Sequence, residues 1–127
     1  MGSIFQLVGA YHVDPAGMTA SLGEPSMPTP LDERVLLIRK HYDEITLTAD
    51  AVTTVGMGGI TNAHVLVAKV PGGKVVMRIT TADGATQSIP IEELLVLISL
   101  SRPVTAIDLR RESGIVTTVK LFLGEKV

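Results

Sequence analysis

From residue 44 onward, apolar and polar side chains alternate in short runs broken by glycine and proline. Residues 44–50 place Ile45, Leu47 and Ala49 on one side and Thr46, Thr48 and Asp50 on the other. That period of two is the mark of a half-buried strand. Residues 51–56 continue the pattern until Gly56, Gly58 and Gly59 end it. Two further runs, 64–70 and 74–81, flank Pro71-Gly72-Gly73 and predict a hairpin, because glycine accepts the positive φ of a tight turn. In the second run Val75, Met77 and Ile79 share a face. Asp83-Gly84 predicts another hairpin into residues 85–89, which Pro90 then ends. Residues 92–100 have enough leucine to be argued as helix, but their branched side chains and their position between strands favour a strand. Ser101-Arg102-Pro103 turns the chain into residues 104–109. Ser113-Gly114 predicts a last hairpin into residues 115–123, with Ile115, Thr117, Val119, Leu121 and Leu123 on one face.

Roughly eight strands at 8–12-residue spacing predict an all-β fold, an antiparallel β-sandwich or jelly roll. The thirteen threonines agree with it, since β-branched side chains suit a pleated surface.

The first third reads differently. Residues 4–11 and 34–42 are strand-like, and Val35-Leu36-Leu37-Ile38 is compatible with burial on both faces. Between them, residues 14–30 hold Pro15, Pro25, Pro28 and Pro30 with Gly17 and Gly23, which suit neither a helix nor a central strand. This stretch predicts an extended N-terminal arm; fully stretched it would reach roughly 55 Å. The chain is thus expected to divide into residues 1–43, a strand plus proline-rich arm serving assembly, and residues 44–127, the sandwich.

Composition bears on partners. The chain has 127 residues and a formal charge of −2, and its eleven basic residues are scattered. Nucleic acid and anionic membranes are therefore not expected partners. No secretory signal and no membrane span are expected. Cysteine is absent, which removes disulfides, thiolate metal sites and thiol nucleophiles together. Mean hydropathy is +0.39 with only four aromatic residues, Phe5, Tyr11, Tyr42 and Phe122. So small a domain cannot hide that much aliphatic surface in one core, so a homo-oligomer is expected.

Candidate chemistry is sparse. His12 with Asp14, and His41 with Asp43, each offer two ligands at i, i+2, and no third is marked for either; His64 stands apart. Glu92 and Glu93 are adjacent, so on a strand they point to opposite faces and cannot share a cleft. The cluster Gly56-Met57-Gly58-Gly59 lacks the spacing and the following helix of a phosphate loop and reads as a turn. No catalytic residue, cofactor or metal is assigned, and the chain is not expected to be an enzyme. The rival from another class is a ligand-binding sandwich, either a sugar-binding module or a cupin-like metalloenzyme using His12, His41 or His64.

A family resemblance adds a setting. The stretch Glu44-Ile45-Thr46-Leu47-Thr48-Ala49-Asp50-Ala51-Val52-Thr53-Thr54-Val55, then Gly58-Gly59-Ile60-Thr61-Asn62-Ala63 and His64-Val65-Leu66-Val67-Ala68-Lys69-Val70, resembles small virion structural proteins of tailed bacteriophages. So do Val75-Val76-Met77-Arg78-Ile79-Thr80, Ser88-Ile89-Pro90-Ile91, Ala106-Ile107-Asp108-Leu109 and Val119-Lys120-Leu121-Phe122-Leu123-Gly124-Glu125. The likeness covers residues 44–127 and lies in strand rhythm and turns. It implies a sandwich or jelly-roll module without an active site, located in the virion after assembly in the host cytoplasm. The implied function is a capsid decoration or cement protein, with a tail, baseplate or fibre adaptor as the alternative. The implied partners are further copies of itself, a trimer for preference, and other virion proteins such as the major capsid protein. The residues expected at that interface are Met18, Leu22, Met27, Leu31, Val35 and Leu37.

Overall fold

A computed structural model describes residues 3–11, 29–112 and 114–127. The alternating runs become nine strands and no helix among the described residues: β1 (Ser3–Tyr11), β2 (Thr29–Leu47), β3 (Thr53–Thr54), β4 (Val65–Lys69), β5 (Val75–Thr81), β6 (Thr86–Ile91), β7 (Leu94–Ile98), β8 (Val104–Arg111) and β9 (Thr117–Lys126). They form two antiparallel sheets, one ordered β1-β2-β9-β4-β7 and one β3-β8-β5-β6. The fold is an all-β sandwich. Its main core is the inward set of both sheets, with Leu47, Leu66, Ala68, Val119, Leu121 and Leu123 from one and Val75, Met77, Ile79, Ile91, Ile107 and Leu109 from the other.

Several local expectations change. Residues 34–42 and 44–50 are not separate strands, because β2 runs unbroken from Thr29 to Leu47 and the 43/44 junction lies inside it. Pro71-Gly72-Gly73 does not close a hairpin. Gly72 has the positive φ expected of it, 77°, yet the turn carries the chain from β4 in one sheet to β5 in the other. The connection through Gly114 (φ 78°) likewise passes from β8 to β9 across the sandwich. Pro90 lies within β6, tolerated because β6 is an edge strand whose outer side needs no donor. Asp83-Gly84 is the true hairpin, joining β5 to β6, with Gly84 at φ 84°.

The far end of β2 leaves the plane of its sheet. The β2–β9 register slips between Leu37 and Arg39, so Ile38 is an extra residue, a bulge. A bulge bends its strand and sharpens the local twist. Beyond it, odd-numbered Ile45 and Leu47 face the main core. Before it, odd-numbered Val35 and Leu37 face the opposite side of the sheet, where they join Val65. β1 pairs with this portion of β2 over nine residue pairs, from Ser3 with Leu37 to Tyr11 with Thr29. The result is a two-stranded ribbon about 30 Å long, folded back over the outer face of the five-stranded sheet. The expected arm, residues 14–30, lies outside the described residues except for Thr29 and Pro30 at the start of β2.

Candidate interaction surface

Alternation along β4, β7 and β9 gives the five-stranded sheet an apolar outer face. The registers align Val96, Val67, Phe122 and Tyr42 in one row across four strands. The next row aligns Ile98, Val65 and Gly124. The ribbon seats on this second row. Leu37 lies on Gly124, where a Cβ would come within 2.8 Å of a leucine methyl, so only glycine lets the ribbon approach this closely. Phe5 of β1 stacks on Phe122 with ring centroids 5.9 Å apart, a spacing in the favourable range for offset aromatic pairs. Val35, Leu37 and Val65 are buried here, with Phe5, Val67, Ile98 and Phe122 packed around them.

Polar contacts fix the bend. Beside the bulge, Arg39 pairs with Glu125 at 3.1 Å, and the other Glu125 oxygen accepts the backbone N–H groups of Thr61 and Asn62. Buried His64 accepts the Lys126 N–H at Nδ1 over 3.1 Å. Burial, with the charge of Lys126, holds its pKa below the usual histidine value, so the neutral ring with a free Nδ1 lone pair is the form that fits.

The ribbon's other face is turned to solvent and is unexpectedly apolar. Ile4 (66% exposed), Leu36 (53%), Ile38 (52%) and Val8 (64%) share it, and Val127 joins through its N–H bond to the Leu36 carbonyl. Ile4, Leu36 and Val127 thus form one exposed aliphatic row across β1, β2 and the residue that follows β9. Between Ile4 and Val8 sits a small polar cluster, in which Gln6 and Arg34 both donate to Asp32.

Of the six residues expected at an interface, Met18, Leu22 and Met27 lie outside the described residues. Leu31 stands opposite Gly9 in the ribbon. Val35 and Leu37, expected to face a neighbouring subunit, are instead buried inside their own chain. The bulge turns their side of β2 onto Val65 and Gly124. The run Val35–Ile38 is buried on one face only, and its alternate residues Leu36 and Ile38 are the ones presented outward. Alternation alone would have marked 36 and 38 as the opposite set, but not which set faced out.

The other candidates stay apart. His41 Nε2 is 4.0 Å from Asp43 Oδ2, and no group of three metal-ligating side chains occurs among the described residues. The His41 ring packs over Gly58, which turns with φ 62°. That contact gives the glycine cluster a structural job. His12 and Asp14 lie outside the described residues. A groove of about 480 Å³ runs along Val75, Val76, Pro90 and Ile91, rimmed by charges. Three of those charges already have partners, Lys74 with Glu92 at 3.2 Å and Arg111 with Asp50 at 2.9 Å. Glu92 holds the Lys74 pKa above its usual value.

Comparison with known proteins adds no relative: no protein-family model, curated protein or solved structure matches this chain.

Proposed function

We propose that this chain is a virion structural protein, a capsid decoration or cement protein that stabilises a phage head through oligomeric assembly. The observation that carries the assembly part is the solvent-facing side of the ribbon. There Ile4, Leu36 and Val127 form an exposed aliphatic row with Ile38 nearby, and Val8 lies beyond the Gln6–Asp32–Arg34 cluster, on a two-stranded element folded over the sandwich. Such surfaces on small proteins are normally covered by a partner. A bulge, a glycine seat and an aromatic stack hold that surface in place, which costs chain order and gains a fixed presentation. The particle itself comes from the strand-rhythm resemblance of residues 44–127.

Quantitative mass spectrometry of purified particles tests the reading. Hundreds of copies per particle are expected. A few to a few dozen copies would replace the capsid role with a tail, baseplate or fibre adaptor. Complete absence would overturn the virion reading and return the ligand-binding sandwich to first place.

A further inference from the structure

The four sheet edges are not alike. β3 has two residues, and β6 carries Pro90 and the polar run Thr86-Gln87-Ser88, ordinary ways of blunting an edge. β1 has neither charge nor proline, but Ser3, Gln6 and Gly9 interrupt its apolar run. β7, the remaining edge, reads Leu94-Leu95-Val96-Leu97-Ile98, five aliphatic residues with no charge, proline or glycine.

Its hydrogen-bonding direction follows from the ladder. Val70 N–H donates to the Glu93 carbonyl at 2.9 Å, and Ser99 N–H donates to the His64 carbonyl at 2.8 Å. In an antiparallel pair such bonded positions alternate, so Leu95 and Leu97 also turn their backbone groups to β4. The N–H and C=O groups of Leu94, Val96 and Ile98 therefore point off the sheet, with no strand beyond them among the described residues. Leu95 and Leu97 belong to the inner face yet remain half-exposed. The gap between β7 and β6 beside them is an open groove lined by Ile79, Gln87 and Leu97.

We propose that β7 is a docking edge for a second copy of this chain, the two five-stranded sheets joining antiparallel about a two-fold axis through Val96. The occupant follows from the strand's own symmetry. Read in either direction from Val96, the residues are leucine and then leucine or isoleucine, so antiparallel pairing sets Val96 against Val96, Leu95 against Leu97 and Leu94 against Ile98. The three outward-pointing residues of each copy are then one another's bonded partners, closing on the order of six backbone hydrogen bonds. The apolar row Val96–Val67–Phe122–Tyr42 becomes continuous across both copies. Such an isologous contact gives an even number of chains, a dimer or a trimer of dimers, rather than the bare trimer that the family resemblance implies.

The pairing deepens the assembly reading by naming a second copy as the partner, and rests on that reading for its setting. Because the chain contains no cysteine, single-cysteine variants of the full chain report it cleanly. Across a bonded antiparallel pair the Cα atoms lie about 5.5 Å apart, within disulfide range. Val96→Cys should crosslink to a dimer under mild oxidation about tenfold faster than Leu94→Cys or the control Val76→Cys. An equal mixture of Leu94→Cys and Ile98→Cys should crosslink although neither does so alone. The unmodified chain should show twice its 13.5 kDa mass, or an even multiple of it, by light scattering. Crosslinking of Leu94→Cys as fast as Val96→Cys, or a monomeric unmodified chain, would overturn the pairing. A chain that crosslinks through position 96 but is missing from particles keeps this pairing and loses the virion reading. One present in particles without that crosslink does the reverse.

Discussion

The two sheets bury similar inner faces and present opposite outer ones. Outside the four-stranded sheet lie Thr80, Thr86, Ser88 and Ala106, with Arg78 bonded to Asp108 at 2.6 Å. Outside the five-stranded sheet lie Val65, Val67, Val96, Ile98 and Phe122, half roofed by a ribbon that itself carries exposed Ile4 and Leu36 on top. Both sheets come from the same period-two alternation. The difference lies in the second set of residues on each strand, mainly polar or charged in one sheet although Val76 is among them, and aliphatic and aromatic along the middle of the other. One face is finished by water, and the other requires protein, first from its own chain and then, in the proposed reading, from another.

Mutations should separate the two regions, starting from the shared interior. Leu109→Ala, fully buried between the sheets, should cost about 3–4 kcal/mol in urea denaturation and lower the stability of the whole sandwich. Leu37→Ala removes the same atoms from the smaller cluster beneath the ribbon and should cost less, about 2–3 kcal/mol. The main-core amides should stay protected from hydrogen exchange while those of β1 lose protection. Equal costs and equal exchange would mean that the ribbon and the sandwich form one unit. Gly124→Ala should cost about 1 kcal/mol by pushing on the Leu37 methyls. In the Leu37→Ala background that cost should vanish, a coupling that a double-mutant cycle reads directly.

A smaller effect comes from His64. Its folded-state pKa lies below the usual 6.5, so the unfolded chain takes up the proton first as the pH falls. The contribution of the neutral ring is fully present above about 6.5 and is lost as the pH drops toward the lower folded value. Denaturation midpoints should therefore decline below about pH 6.5 more steeply in the native protein than in His64→Asn, which keeps an acceptor for Lys126 N–H. The smallest effect is expected on the polar face. Arg78→Ala removes an exposed ion pair, and the midpoint at neutral pH should barely move. The Arg78 hydrogen bond holds the Asp108 pKa low, so whatever the pair adds is present above the ordinary carboxylate pKa and fades as the pH falls through the lowered one.

Much of the sandwich was legible because alternation reports burial directly. Val75, Met77 and Ile79, and Val119, Leu121 and Leu123, are buried as their pattern demands. Turn residues were legible as conformations but not as connections. Gly72 and Gly114 have the positive φ that glycine permits, yet whether the next strand pairs beside the last or crosses to the other sheet depends on partners far away in sequence. The candidate surface was harder still. Val35-Leu36-Leu37-Ile38 is uniformly aliphatic, so no contrast within it marks a face. What decides it is a bulge at Ile38 and a glycine eighty-six positions further on. The edge position of β7 was equally hidden, since an edge is a property of strand order and not of the strand.

In the proposed reading the ribbon's outward face is a protein-binding surface. The most direct measurement is sedimentation velocity of the full chain beside the double variant Leu36→Lys/Ile38→Lys. Both positions are already exposed, so the variant should fold. The native chain should form a larger assembly and the double variant should fall to a smaller one, keeping at most the β7-mediated pair. Identical sedimentation of the two proteins, each folded by circular dichroism, would contradict it.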